Sequence, residues 1–242
     1  MHVSARHLEI WETPLPTPEQ FHAWDPLAQM RFLAMLGHLA PSSHNTQPWR
    51  FQVNSAKQTI TILIDRARVL PESDVVGRQT AVSIGCVIEN IVVGAEALGM
   101  SVAIEILPVE KAALTPGKKE FERTLLPIAI LTLSPGAPIT PAAIPLSAIR
   151  SRKVLRTEFD PTKEIDARTL GDIDAAMGRF SGVTLHAVSD AIHRLAIAEF
   201  QGQADGYVLN KPRFARELGA WLYGNTEERG DGMPGNTFGF DD

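Results

Sequence analysis

The chain has 242 residues, a formal net charge of −5, 44% hydrophobic and 21% charged residues, which is the composition of a water-soluble globular protein with one large domain or two small ones. The acidic balance excludes a general nucleic-acid surface, which needs clustered basic charge. Cys86 is the single cysteine, so no intrachain disulfide and no cysteine-rich metal site is possible, and a reducing cytoplasm is the expected compartment.

Residues 1–24 are mixed and carry Pro14, Pro16 and Pro18, and are read as an arm or a poorly ordered start without a signal-peptide h-region. Asp25-Pro26 gives an N-cap with proline at the first helical position. The helix it starts runs to about Leu39, with Met30, Leu33, Ala34 and Gly37 on one face. Trp49–Val53 and Thr59–Ile64 read as two strands of a hairpin turning through Asn54–Lys57. Ser83–Leu98 is the strongest helix, with a wide stripe of Ile84, Val87, Ile88, Ile91, Val92, Ala95 and Leu98, stopped by Gly99. Ser101–Ile106 and Pro127–Leu133 are further strands. The first half is therefore α+β, with strands gathered around one dominant buried helix. No apolar run reaches the roughly 18 residues a membrane span needs.

Residues 134–148 are a linker by their proline and glycine content. A basic cluster follows from about Ile149. Then come a helix at Ala167–Met177, a strand at Val183–Val188, a helix after Ser189 and another from Pro212 to about Leu222. Gly224–Asp242 is glycine-rich, acidic and without periodicity. Its Met233, Phe238 and Phe240 are apolar enough to seek a surface, so it is expected to fold over a neighbouring chain or to lid a pocket.

Two constellations could carry chemistry. Ser42, Ser43, His44, Asn45 and Gln47 lie in one turn before Pro48-Trp49. Hydroxyls and amides in such a turn can satisfy their own backbone, or they can form a rim that reads the polar edge of a heteroaromatic ligand. Trp49 serves as core or wall in either case, and His44 alone carries little. The second constellation is Arg150, Arg152, Lys153 and Arg156, four cations within seven residues of an acidic chain. They form either a solvated helix start or a phosphate site. A helix start disfavours cations unless an anion is bound there. Nucleotide-loop, nucleophile-elbow and zinc-protease motifs are absent, and the histidines have no metal-ligand spacing.

The stretch Ser42-Ser43-His44-Asn45-Thr46-Gln47-Pro48-Trp49, the helix ending at Gly99-Met100 and the arginine cluster together resemble the nitroreductase family, most of all its fused, two-half Acg-like members. The likeness is specific at 41–51, fair over 26–106 and weaker over 149–223. It implies an α+β nitroreductase-like fold, with a mixed or antiparallel sheet around a buried central helix. It also implies a pseudo-dimer of two related halves, at 25–133 and 149–242, the second incomplete because fused members extend well past residue 242. The implied cofactor is FMN, held by Ser42, Ser43, Asn45 and Gln47 from the turn and by Arg150, Arg152 and Arg156 at the phosphate. Val154 stands where the family has a serine. The implied activity passes electrons from NAD(P)H through FMN to a small-molecule acceptor such as a nitroaromatic or quinone. No side chain acts as a catalytic acid, and no metal, nucleic-acid or membrane partner is implied. A homodimer or pseudo-dimer is the expected assembly. A flavin-storing protein without turnover and an inactive partner subunit are the alternatives.

Overall fold

A computed structural model describes residues 11, 13–109, 125–136, 146–154, 159–160, 162–178 and 180–238. The chain divides into two compact units, residues 1–154 with 216–242, and residues 155–215. These units do not coincide with the expected halves. Residues 149–154 and 216–238 belong to the first unit, so the boundary does not fall at 134–148. Most of that expected linker (137–145) lies outside the described residues, as do residues 1–10 and 12 of the arm.

The part of the arm that is described is ordered by local chemistry. Thr17 and Gln20 form a reciprocal capping box at helix α1 (Pro18–His22), and Phe21 is fully buried, which corrects the reading of residues 17–24 as a poorly ordered start. Helix α2 (Pro26–His38) begins as its sequence dictates. Asp25 accepts from the Ala28 amide at 3.0 Å, and Pro26 fills a position whose amide needs no partner.

Strands β1 (Trp49–Asn54) and β2 (Thr59–Asp65) form the expected antiparallel hairpin. With β3 (Met100–Ile106) and β4 (Leu125–Pro135) they make a four-stranded antiparallel sheet in the order β1-β2-β4-β3. Alternation places Ile60, Ile62 and Ile64 of β2 and Ala129, Leu131 and Leu133 of β4 in the core. Helices α2 and α3 (Arg78–Ala97) pack together and against strands of this sheet. Gly94 permits their close approach: a Cβ there would lie 2.5 Å from Cδ1 of Leu36. Gly99 takes φ 77°, ending α3 in the left-handed conformation that glycine adopts without cost.

Helix α3 buries one stripe, Ile84, Val87, Ile91 and Ala95, while Val82 on another side is 62% exposed. Ile88 and Val92 are half-buried. The helix is therefore a one-sided cover and not a helix enclosed by strands. By length and composition alone it is also apolar enough to cross a membrane, which the sequence reading did not anticipate.

Helix α4 (Leu146–Ser151) inserts Ile149 into the same core. The described residues past 149 hold no counterpart of the four-stranded sheet. Helix α5 (Ala167–Met177) and helix α6 (Ala191–Leu209) are capped by Asp166 and Asp190, which accept from the amides of Thr169 and His193. No strand forms at 183–188, because a strand needs a ladder partner and these residues have none among the described residues. Among the described residues of 155–215 none is buried, although α6 carries Ile192, Leu195, Ile197 and Phe200.

The last segment returns to the first unit. Helix α7 (Pro212–Ala220) carries Glu217, which accepts from the amides of Glu72 and Ser73 at 2.9 and 2.8 Å. Short strands β5 (Leu222–Tyr223) and β6 (Met233–Pro234) pair in parallel, and Met233 is buried. Of the two expectations for this segment, a neighbouring chain to fold over or a pocket to lid, its described part docks within the chain; residues 239–242 lie outside the described residues.

The packing makes a graded expectation. Ile91→Ala removes a fully buried side chain and should cost about 2–5 kcal/mol. Ile88→Ala, at a half-buried position, should cost clearly less. Chemical denaturation of both variants measures the difference, and equal costs would mean α3 is covered on both sides.

Candidate functional site

The turn after α2 is where the backbone departs furthest from ordinary geometry. His44, Asn45 and Gln47 all have φ near 50°, three left-handed residues within four positions and none of them glycine. Such conformations cost on the order of 1–3 kcal/mol each and persist only where the surroundings over-determine them. Asparagine and histidine tolerate this region, but Gln47 precedes a proline and should be extended. Its amide is held by Ser42 Oγ at 2.9 Å, and beyond Pro48 the Pro48 carbonyl accepts from Asp65 N at 3.0 Å.

Asp65, at the end of β2, is fully buried. It pairs with Arg50 at 2.7 Å and accepts from the Ala67 amide at 3.1 Å. That amide bond caps the single 3-10 turn Arg66–Arg68 and so sets the direction of Arg68. Arg68 Nη1 donates to the Thr46 carbonyl and to Asp231 Oδ2, each at 2.8 Å. Its guanidinium also lies 6.0 Å from the Trp221 ring centroid.

Residues 229–233 cross the turn as a strap. Gly232 N donates to the Asn45 carbonyl at 3.1 Å, and Asn45 Nδ2 donates to the Gly232 carbonyl at 3.0 Å. Gln47 Nε2 donates to the Gly230 carbonyl and to Asn45 Oδ1. Gly232 has φ 74°, and a Cβ there would lie 2.8 Å from the Trp221 carbonyl oxygen, so only glycine fits. Arg229 donates through Nη2 and Nε to Asp231 Oδ1 at 3.1 and 3.3 Å. Partial burial pushes the Asp231 carboxyl up, but the hydrogen bonds and charges of Arg68 and Arg229 outweigh it and hold it below the usual carboxylate range.

Beside the strap lies a cavity of about 630 Å3. Asn45, Gln47, Arg68, Arg152, Arg229 and Asp231 supply its polar wall, and Trp11, His38, Leu39 and Ala40 complete it. Arg152 Nη2 donates to the Leu39 carbonyl at 3.2 Å, whereas its Nε is buried with no hydrogen-bond partner among the described residues. His38 Nδ1 accepts from Trp49 Nε1 at 3.1 Å. Burial pushes the His38 imidazole down, and the nearby Arg50 and Arg68 add to the effect, so it is neutral at pH 7.

The structure therefore brings Asn45, Gln47 and Arg152 to one cavity and leaves other expected residues elsewhere. Ser42 and Ser43 line a neighbouring cavity with Arg78, Gln79, Ser83 and Cys86. Ser43 Oγ donates to Gln79 Oε1 there. Burial pushes the Cys86 thiol up against the opposing pull of Arg152, so it is a poor nucleophile at neutral pH. Arg150 Nη1 donates to the Thr13 carbonyl at 2.6 Å and does not line the arginine cavity. Arg156 lies outside the described residues. The arginines also do not start a helix. Arg150 and Arg152 sit at the C-terminal end of α4, where cations complement the helix dipole, so their position does not call for a bound phosphate. Among the described residues no group of three or more histidine, cysteine or acidic side chains could hold a metal.

Sequence reasoning missed Arg68, Arg229, Asp231 and His38. The usable signals were an Arg-Ala-Arg run directly after an apolar strand and an Arg-Gly-Asp-Gly run in the glycine-rich end.

No protein-family model matches the chain. It is 35% identical over 69 residues to a Mycobacterium tuberculosis protein named "Putative NAD(P)H nitroreductase acg", a stretch of 28% of this chain and 20% of that protein. It is 37% identical over 59 residues to an uncharacterised protein of the same organism, 24% of this chain and 17% of that one. The chain thus spans about a fifth of the length of the curated relatives it matches. A crystal structure of a "Putative NADH Oxidase" from Clostridium acetobutylicum superposes with a TM-score of 0.33 at 17% identity, covering 44% of this chain and 75% of that one, a likeness too low to carry weight.

His38 makes a pH expectation. Its folded pKa is depressed, so the unfolded chain binds the proton first as pH falls below about 6.5. Stability should drop as pH falls through that window and level off below the folded pKa. Melting temperature against pH measures this, and His38→Asn should flatten that part of the curve; an unchanged slope would place the titration elsewhere.

Proposed function

We propose that the chain binds FMN in the arginine cavity and acts as an oxidoreductase of the nitroreductase type, taking electrons from NAD(P)H to a nitroaromatic, quinone or similar acceptor. The observation that carries the reading is the composition of the cavity wall: Arg68, Arg152 and Arg229 against the single carboxylate of Asp231, with two side-chain amides beside them, in a protein of net charge −5. Such a wall suits a ligand with an anionic end and a polar heteroaromatic edge. The volume lies in the usual range for a cofactor pocket.

The chain's residues fit that group on a specific point. The buried Nε of Arg152 has no hydrogen-bond acceptor among the described residues, and a charged donor so placed costs free energy until an acceptor reaches it. A phosphate oxygen is the acceptor that guanidinium geometry favours. Arg68, Arg152 and Arg229 would hold the phosphate, and Asn45 and Gln47 would face the ring's polar edge. When bound, FMN supplies the redox chemistry that these side chains lack. Neutral His38 adds no positive charge to the wall, so the three guanidiniums alone set its anion preference.

A second reading, flavin binding without turnover, is favoured by the strap, because Gly230 and Gly232 already occupy the amide groups of Gln47 and Asn45. Both readings predict flavin absorbance in natively purified protein. Only the first predicts NAD(P)H oxidation by the loaded protein.

Arg152→Ala should weaken FMN binding by about 1.5–3 kcal/mol through loss of a charge-assisted contact, and should leave riboflavin binding unchanged. Titration of both flavins into wild type and variant measures this. Equal loss for both ligands would make Arg152 structural, and no binding of either ligand to wild type would remove the flavin reading.

A further inference from the structure

The carboxylate of Asp231 occupies two of the three guanidiniums that make the cavity cationic. Its Oδ2 is 2.8 Å from Arg68 Nη1, and its Oδ1 is 3.1 Å from Arg229 Nη2. It is the one carboxylate among the described lining residues. The residue sits on the strap 229–233. Gly230 and Gly232 flank it, and around it the strap is tied to the turn by hydrogen bonds to Asn45 and Gln47. Met233, at the far end, is the buried anchor. The Asp231 side chain keeps 22% of its surface exposed, so a short outward movement returns the carboxylate to water.

We propose that Asp231 is an internal stand-in for the anionic group of a phosphate monoester: it closes the strap 229–233 over the polar turn, and the incoming phosphate displaces it from Arg68 and Arg229. That ligand is FMN on the reading above, on which its identity, though not the latch itself, rests. The exchange conserves the arginine contacts and replaces a monoanion by a group of nearly two charges, so the entering ligand outcompetes the carboxylate on charge. Release of Asp231 frees Asn45 and Gln47 together, because their partners Gly232 and Gly230 lie on the same strap. The apparent affinity is lowered by the fraction of molecules whose strap is open. Asp231 is thus a regulatory residue of the pocket and not a catalytic one.

The test compares the whole wild-type chain with Asp231→Asn, using FMN, riboflavin and inorganic phosphate as probes. Loss of the carboxylate should tighten FMN and inorganic phosphate by roughly tenfold, the size expected when a charge-assisted competitor is removed. Riboflavin should change less, since it brings no anion to the arginines. In wild type, FMN should speed hydrogen exchange of the Gly232 amide, whose bond to the Asn45 carbonyl breaks when the strap lifts, and this measurement does not depend on how the variant folds. Unchanged or weaker phosphate binding by Asp231→Asn, or slower exchange at Gly232 with FMN, overturns the latch. If FMN binds no better than inorganic phosphate in either protein, the flavin reading fails while the phosphate comparison still decides the latch. If no probe binds either protein, both fall.

Discussion

A buried carboxylate at the end of one strand organises this molecule's polar side. Asp65 is fully enclosed, and a charge so placed must be paired. It takes Arg50 across the hairpin and caps the turn that carries Arg68. Arg68 then holds both the carbonyl of Thr46 in the strained turn and Asp231 in the strap that crosses it. Removing Asp65 would leave Arg50 and Arg68 without the group that directs them, and the turn and the strap would lose the guanidinium that bridges them, keeping only their direct hydrogen bonds.

The strain in the 42–47 turn follows from this arrangement. Three left-handed residues other than glycine are kept in place by the Ser42 hydroxyl, by the strap carbonyls and by Arg68. The same bonds make the turn a poor candidate for an open ligand rim in the closed strap state. Its amides satisfy groups of the chain, and they also line a cationic cavity. The chemical potential of the site lies in the arginines from three separate places in the sequence, residues 68, 152 and 229, which converge only after folding.

The two compact units differ in kind. The first has a core built from α2, α3, α4 and the sheet, with Ile91, Leu33 and Leu131 fully buried. The second, residues 155–215, carries helices with capping aspartates but no buried residue among those described. Helix α6 exposes Ile192 and Phe200 at 81% and 74%. Local signals, caps and propensity, are enough to form such helices, while burial of their apolar surface is what would stabilise them.

The sequence by itself determined the elements whose signals are local. Asp25-Pro26 set the start of α2, Gly99 the end of α3, and alternation over 59–65 the buried face of β2, because caps, φ preferences and side-chain period act within a few residues. It also marked the polar turn and Arg152. It misplaced the strand at 183–188, since a strand exists only if a partner supplies its hydrogen bonds. It misjudged the arginines at 150–152, because whether a cation starts or ends a helix depends on where α4 stops. It left the 224–238 segment as a loop, because its anchoring depends on Arg68, Asn45 and Gln47, about 160 or more residues away in the chain. Which guanidiniums share a cavity, and which carboxylate holds them, is a statement about distances between remote residues, and only the tertiary structure sets those.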